Sequence, residues 1–192
     1  QQHGLQGKFV VLYAGAHGMS NDLGVVLEAA SRLRNQPEIA FVLLGDGKEK
    51  ANLISLAQGM GLSNVHFLPP LAKTDMPDAL AAADACLAIL KPIELYKTTY
   101  PNKVFDYLAA GRPVVLAIDG VIRQVIEDAG AGIPVPPGDP AAMAAAIHRL
   151  YLHPEQGRAM GLRARQYVET HFDRAQLADH LADLMKELIA QP

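Results

Sequence analysis

The sequence contains a single cysteine, Cys86, among 192 residues, which excludes an internal disulfide framework and any cysteine-based zinc site. It also lacks a densely basic segment: 17 Lys and Arg are set against 20 Asp and Glu, for a formal net charge of −3. We therefore expect no binding to nucleic acid. No apolar run of about 18 residues occurs, and no basic start precedes an apolar core, so neither a membrane span nor a signal peptide is expected.

Half of the residues are hydrophobic and 19% are charged, which is enough apolar material for one large folded domain. Residues 1–7 are polar and glycine-rich and include no initiator methionine. They predict a linker, or a remnant of one, that enters a folded unit at Lys8. We expect residues 8–192 to form one domain cut from a larger protein.

Short runs that are apolar throughout alternate with longer stretches of helical periodicity. Strands are predicted at residues 9–14, 39–44, 65–68, 85–90, 113–118 and 132–135. Helices are predicted at residues 22–35, 48–60, 75–83, 102–110, 121–128, 140–152, 154–170 and 174–189. Fully apolar strands indicate a sheet covered on both faces. Repeated strand–helix alternation predicts an α/β fold with a doubly wound parallel sheet of about six strands, whose ligand binds at the carboxyl ends of the strands.

The loop after the first predicted strand contains two glycines, Gly15 and Gly18. Their backbone N–H groups can approach a ligand closely, and the helix that follows favours an anion. The loop matches neither the dinucleotide-binding fingerprint nor a Walker A loop, and an ordinary tight turn remains open. We predict that His17 donates a hydrogen bond to a phosphate or a sugar hydroxyl, the alternative being a merely exposed side chain. Asp22 is predicted to cap the next helix.

The loop before the fourth predicted helix is the most informative. Thr98, Thr99 and Asn102 are predicted to cap a helix starting near residue 101, whose free N–H groups form an anion site. Lys103 lies in the first turn, where the helix dipole disfavours a cation, and a bound anion would explain its presence. Asp106 follows within one turn, so Asn102, Lys103 and Asp106 are expected to border one pocket. The alternative is a solvated face with an Asp106–Lys103 pair.

Several motifs in order resemble the retaining glycosyltransferases of group 1 (family 4). They are Tyr13–Gly18, Leu27–Ala30, Phe41–Gly47, Pro101–Val114 and His171–Arg174. The stretch 101–114 is similar to the variant seen in transferases that build bacterial surface polysaccharides. The resemblance covers residues 8–187, which is nearly the whole chain.

This resemblance implies a GT-B enzyme, in which two Rossmann-like domains face each other across a cleft. The chain matches the C-terminal domain, which binds the nucleotide sugar, while the N-terminal acceptor domain is missing. The implied reaction transfers a sugar from a nucleoside diphosphate sugar, preferably a UDP-sugar, to a glycan or lipid-linked acceptor with retention at the anomeric carbon. No metal or other cofactor is implied. We expect a cytoplasmic enzyme, associated with the inner face of the membrane through the missing half, and an isolated domain without activity.

The family's usual pair of glutamates falls on Thr98 and Asp106. The resemblance implies that Asp106 binds the ribose hydroxyls, whereas Thr98 replaces the acid near the donor sugar. Glu94 can substitute for that acid only if its loop folds back. The basic pair that contacts the diphosphate in many members is absent, with Ala16 and Leu23 in those neighbourhoods. Lys103 is then the candidate for diphosphate charge, with Lys91 and Lys97 in reserve.

From its composition alone, Gly45-Asp46-Gly47 is a turn with an exposed Asp46, and the resemblance adds Asp46 to the binding candidates. The candidate nucleotide-sugar site comprises Gly15, His17, Gly18, Asp46, Thr98, Thr99, Asn102, Lys103 and Asp106. Other functions stay open at this point: a sugar-nucleotide 2-epimerase of the same architecture, an NAD-dependent dehydrogenase, although its glycine fingerprint is absent, and a non-catalytic nucleotide-binding module.

Overall fold

A computed structural model describes residues 4–190 of the chain. Six strands are present: β1 (Phe9–Ala14), β2 (Ile39–Leu44), β3 (Val65–Leu68), β4 (Ala85–Ile89), β5 (Val114–Ala117) and β6 (Gly132–Pro134). The helices are α1 (Leu23–Arg32), α2 (Lys50–Gly59), α3 (Met76–Ala81), α4 (Asn102–Ala109), α5 (Val121–Ala129), α6 (Pro140–Leu152), α7 (Pro154–His171) and α8 (Arg174–Ala190). Short 3-10 helices at Met19–Asn21 and Glu94–Thr98, which the periodicity does not predict, lie in the loops after β1 and β4.

All strand pairings are parallel, in the order β3-β2-β1-β4-β5-β6. The predicted α/β fold with a six-stranded, doubly wound parallel sheet is thus confirmed. The order places β1 and β4 side by side although β2 and β3 separate them in sequence. This is the point where the winding reverses, and ligands of open parallel sheets bind there, outside the carboxyl ends.

Successive residues of each strand face opposite sides of the sheet, and both sides are covered. On one side Val11 and Tyr13 pack against α1, α2 and α6, and on the other Leu12 and Ala14 pack against α3, α4, α5 and α7. This double coverage explains why the strands are apolar throughout. Cys86 is fully buried in the second layer, and burial raises the pKa of its thiol.

The ends of the chain can be compared with the predicted boundaries only over residues 4–190. Residues 4–7 of the predicted linker form neither helix nor strand, and residues 1–3 lie outside the described part. The predicted C-terminal helix is present as α8, whose apolar side chains are exposed; among them are Leu177, Leu181, Leu184 and Met185. Residues 191–192 also lie outside the described part.

The prediction of Asp22 as the N-cap of α1 is confirmed for its position but not for its side chain. Asp22 occupies the N-cap position, but its backbone is left-handed (φ 45°) and its side chain makes no capping hydrogen bond. The preceding 3-10 helix ends at Asp22, so this residue has to turn the chain between two helical segments. Asp139 shows the expected geometry instead, because its carboxylate accepts hydrogen bonds from the amides of Ala141 and Ala142, both at 2.9 Å.

Helix α7 lies against α4 through glycine and aromatic contacts. Gly161 packs on the backbone of the turn after α4, where an added Cβ would overlap the carbonyl oxygen of Gly111. Further along, the ring of Phe172 packs at a tilt against that of Phe105, with centroids 4.8 Å apart. The packing of α7 on α4 therefore depends on a residue without a side chain at position 161.

Gly161→Ala should lower the free energy of unfolding by about 1–3 kcal/mol, the scale of an overpacked contact. Gly59→Ala is the matched control, since nothing lies within 4 Å of the added Cβ at the end of α2. It should stabilise the chain by up to about 1 kcal/mol through helix propensity and a less flexible unfolded state. Urea titration of both variants measures the difference, and equal stabilisation by the two alanines would show that α7 shifts without cost.

Candidate functional site

The loops after β1 and β4 meet at the carboxyl edge of the sheet. The amide of Lys91 donates to the carbonyl of Ser20 at 2.9 Å, and the Tyr96 hydroxyl donates to the Ser20 hydroxyl at 2.8 Å. The two segments that the sequence marked as carriers of chemistry, residues 15–22 and 91–101, are therefore neighbours. Their junction lies at the reversal point between β1 and β4.

Two tyrosines that sequence reasoning missed hold α4 against the end of β1. The buried Tyr107 hydroxyl accepts a hydrogen bond from the Ala14 amide (2.9 Å) and donates one to the Ala14 carbonyl (3.2 Å). Tyr13 donates from its hydroxyl to the carbonyl of Ala16 at 2.8 Å. Burial raises the pKa of both phenols, which keeps them protonated. The sequence did contain a sign of this role, because Tyr107 lies one helical turn after Lys103 and therefore shares its face of the helix.

Lys103 lies against the glycine-containing loop. Its Nζ donates to the Tyr13 hydroxyl at 2.8 Å and lies 4.1 Å from the centroid of that ring. A Cβ at Gly15 would come within 2.7 Å of Nζ, so the ammonium group lies directly against the loop backbone. Within residues 4–190 Lys103 forms no ion pair. Burial lowers its pKa from 10.5 to about 8, so it remains largely charged at neutral pH.

The first turn of α4 is not capped by a side chain. Thr98 donates its hydroxyl to the Leu95 carbonyl at 2.9 Å, Thr99 follows the 3-10 helix, and the N-cap residue is Pro101. The prediction that Thr98, Thr99 and Asn102 cap the helix is therefore wrong. Thr98 and Thr99 belong to the end of the 3-10 helix, and Asn102 is already part of α4. As a result, the amides of Asn102 and Lys103 remain available to an anion.

The loop after β1 offers fewer free amides than its glycines suggest. Gly15 donates to the Leu44 carbonyl (2.9 Å) and His17 donates to the Asp46 carbonyl (2.8 Å). In the described part of the chain, the amides of Ala16 and Gly18 donate no hydrogen bond. These two N–H groups and the open end of α4 are backbone donors that a ligand at the site could use.

The turn after β2 is pressed against the same loop. Gly45 has φ 142°, and a Cβ there would overlap the carbonyl oxygen of Gly15; at Gly47 it would lie 2.5 Å from the carbonyl oxygen of His17. The Asp46 carboxylate accepts a hydrogen bond from the Gly47 amide at 2.8 Å. The glycines are thus required by close backbone approach, while Asp46 is exposed and bonded within its own turn; its contact with a nucleotide sugar stays a prediction.

His17 does not point towards a ligand. Its ring is 0% exposed and lies between those of Tyr13 and Phe67, at centroid distances of 6.1 and 6.2 Å. Neither ring nitrogen has a hydrogen-bond partner among the described residues. Burial, with the positive charges of Lys50 and Lys103, lowers the pKa of His17 against the opposing effect of Asp46. In this conformation the imidazole is neutral and out of reach, which corrects the expectation of a hydrogen bond to phosphate or sugar.

The remaining candidates of α4 do not share one pocket with Lys103, as the sequence led us to expect. Asn102 and Asp106 line a groove of about 800 Å³ between α3 and α4, together with Lys73 and Met76. Lys103 faces the sheet instead, because Tyr107 fixes the rotation of the helix. The groove also includes Lys73 of the loop after β3, and the contact of Asp106 with a ribose stays a prediction.

Glu94 and Lys97 pair with each other, Oε1 to Nζ at 2.7 Å, and the Glu94 side chain is 86% exposed. The hydrogen bond to Glu94 raises the pKa of Lys97. Both residues line a small cavity of about 150 Å³ with Lys91 and Asp119. The loop therefore brings one acid and two cations to the carboxyl ends of β4 and β5, although the charge of Lys97 is already neutralised.

Two observations concern other kinds of site. No three His, Cys, Asp or Glu side chains of residues 4–190 form a group that could hold a metal ion. In the same part of the chain, none of the helices has the length and apolarity needed to cross a membrane.

The buried imidazole makes a pH-dependent contribution to stability. The unfolded chain takes up a proton at His17 near pH 6.5, whereas the folded chain resists it, so stability should fall as the pH drops below that value. The loss approaches about 1.4 kcal/mol per pH unit for one proton. His17→Gln should flatten the dependence of unfolding free energy on pH between 7 and 5, whereas His180→Gln, at an exposed position of α8, should not. Equal slopes in all three proteins would contradict a neutral buried His17.

A family model described as glycosyl transferases group 1 matches residues 8–153. Among curated relatives, the putative colanic acid biosynthesis glycosyl transferase WcaI of Escherichia coli K12 is 31% identical over 170 residues, 87% of this chain and 40% of its own length. D-rhamnosyltransferase WbpZ of Pseudomonas aeruginosa is 29% identical over 154 residues, 80% of this chain and 39% of its own length. The chain thus spans less than half the length of these relatives.

Solved structures share the fold. Anabaena Alr3699/HepE in complex with UDP matches 97% of this chain with 51% of its own, at a TM-score of 0.86 and 22% identity. WaaG, a glycosyltransferase involved in lipopolysaccharide biosynthesis, matches 93% of this chain with 47% of its own, at a TM-score of 0.76 and 22% identity. The family match spans all six strands of the parallel sheet and every loop of the candidate site, and on this basis the chain belongs to the group 1 glycosyltransferases.

Proposed function

We propose that this chain is the donor-binding half of a glycosyltransferase that takes a sugar from a nucleoside diphosphate sugar, with UDP as the nucleotide. The observation that carries the proposal is the position of Lys103: a cation without a carboxylate partner, held on Tyr13 against Gly15 and beside the uncapped end of α4. Family membership and the UDP-bound HepE structure of the same fold support this choice of ligand.

In this proposal the diphosphate lies over the end of β1. The amides of Ala16 and Gly18 approach it from one side, the first turn of α4 approaches it from the other, and Lys103 supplies the charge. Such preorganised donors stabilise the negative charge that develops on a leaving diphosphate, often the largest contribution to catalysis. The same groups need no metal ion to do so.

The nucleoside is assigned to the groove between α3 and α4. Asp106 and Asn102 line its wall, and Lys73 and Met76 lie at the end next to the loop after β3. A carboxylate accepts hydrogen bonds from two vicinal hydroxyls, which suits Asp106 to a ribose. Nucleoside and diphosphate then lie on adjacent sides of α4, with Asp106 towards the groove and Lys103 towards the sheet.

The acceptor is assigned to a second domain outside this chain. The exposed apolar side chains of α8, among them Leu181 and Leu184, provide a surface that we assign to contact with that domain. Sugar transfer requires both reactants to be held in one geometry, so the 192-residue chain is expected to bind the donor without transferring its sugar.

Binding measurements by calorimetry test the site. Lys103→Ala should weaken UDP binding by about 1.5–3 kcal/mol, the scale of a charged hydrogen bond, and affect uridine much less. Asp106→Asn should weaken UDP and uridine equally, because both contain the ribose. Lys97→Ala is the matched control, since its charge is paired with Glu94. Preferential binding of NAD over UDP and GDP would overturn the proposal, and unchanged UDP affinity in Lys103→Ala would remove Lys103 from the site.

The lowered pKa of Lys103 gives a second test. In the free protein, Lys103 loses its proton near pH 8. A bound diphosphate should keep Lys103 protonated, so UDP binding above that pH requires the uptake of a proton. Affinity should therefore fall above about pH 8, by up to about tenfold per pH unit. In Lys103→Arg the charge persists at high pH, and the fall should disappear. An identical alkaline loss in both proteins would assign the titration to another group.

A further inference from the structure

A second cavity, of about 450 Å³, lies at the amino-terminal edge of the sheet, opposite to the nucleotide site. Its walls include Phe9, the first residue of β1, and Asp84 and Pro113, which directly precede β4 and β5. Helix α7 covers it on the outside. The length of β1 alone separates this cavity from the glycine-containing loop by about 17 Å.

Three arginines line this cavity, Arg112, Arg158 and Arg165, against a single carboxylate, Asp84. Arg158 and Arg165 are seven residues apart on α7 and so point to the same side of the helix. Asp84 is already engaged, because its Oδ2 accepts a hydrogen bond from the Val10 amide at 2.7 Å. The cavity therefore has an excess of positive charge that its own acid does not balance.

Two of the guanidinium groups have no acidic partner. In the part of the chain that the structure describes, neither Arg112 nor Arg158 forms an ion pair, while Arg165 pairs with Glu169 at the surface. Arg112 is anchored by one hydrogen bond, from Nη2 to the Ala81 carbonyl at 2.6 Å. Its Nε is buried and has no hydrogen-bond partner. An anion in the cavity would therefore be bound by the exposed Arg158 and the partly exposed Arg112 side chains rather than by this buried atom.

The shape of the site favours phosphate among the anions. The planar guanidinium group presents its donors in a fork that matches phosphate oxygens. The first turn of α7, at Pro154 and Gly157, lines the same cavity and directs the positive end of an 18-residue helix towards it. We propose that this amino-edge cavity binds a phosphate group, either as free inorganic phosphate or as the phosphate of a lipid headgroup.

Amide spectra of the full 192-residue chain test the proposal. Inorganic phosphate, titrated at constant ionic strength against chloride, should produce saturable shifts at Gly111, Gly157 and Gly161, which line the cavity. Arg158→Ala should bind about tenfold more weakly, which corresponds to about 1.4 kcal/mol. Arg158 is exposed and forms no ion pair, so the substitution should leave the melting temperature unchanged. Arg32→Ala, an exposed arginine of α1, removes the same charge elsewhere and should bind as the parent does.

Vesicles distinguish the two sources of phosphate. Sedimentation with phosphatidylglycerol vesicles but not with pure phosphatidylcholine, abolished by Arg158→Ala and retained in Arg32→Ala, would assign a lipid phosphate. Saturable shifts at the three glycines without sedimentation would assign free phosphate. Phosphate shifts confined to Gly15 and Gly18, equal losses in both arginine variants, or no response to either probe would overturn the proposal. None of these outcomes depends on UDP binding, so failure here is separable from failure of the nucleotide site.

Discussion

The hydroxyl of Tyr107 forms hydrogen bonds with both main-chain groups of Ala14, the last residue of β1. At the end of a strand, the amide and carbonyl groups have fewer hydrogen-bond partners in neighbouring strands. A buried group left without a partner would cost free energy. Because one hydroxyl serves both, helix α4 is fixed in height and in rotation against β1. Lys103 lies one turn earlier on the same face, so the same contact delivers its ammonium group to Tyr13 and Gly15.

The glycines of the second loop complete this arrangement from the other side. With no Cβ at Gly45 and Gly47, the turn after β2 packs directly on the carbonyls of Gly15 and His17. The amide of Glu49 also donates to the His17 carbonyl at 3.0 Å. The loop after β1 is therefore held by the turn after β2 on one side and by Tyr13 on the other. The free amides of Ala16 and Gly18 are thus fixed in place without a ligand. Donors fixed in advance require no reorganisation during a reaction, which is what electrostatic catalysis demands.

The sequence predicts the layers of this fold well because burial on both faces and helical periodicity leave direct marks in residue type. The strand of residues 39–44 and the helix of residues 140–152 fall where the pattern places them. Side-chain directions at the site leave weaker marks. Spacing alone places Lys103 and Asp106 within one turn, but only the contact of Tyr107 with Ala14 decides that one faces the sheet and the other a groove.

The same limit applies to His17 and to the threonines. A histidine in a polar loop gives no sign of burial, since its environment comes from Phe67 and Tyr13, which are distant in sequence. Thr98 is a good capping residue by type. Here the unpredicted 3-10 helix supplies it with the carbonyl of Leu95 as a local partner. In both cases tertiary or local backbone geometry overrides a valid residue preference.

The electrostatics of Lys103 make this buried cation unfavourable to the fold when no anion is near it. The unfolded chain keeps this proton up to a pKa near 10.5, and the folded chain loses it near 8, so stability rises with pH across that window and is lower at neutral pH. A charged Lys103 thus opposes folding, and the Tyr13 ring and hydroxyl offset only part of the lost hydration. An anion between Lys103 and the end of α4 would reverse the sign of this contribution. A cation that opposes folding when alone and is stabilised by an anion fits the binding role proposed for Lys103.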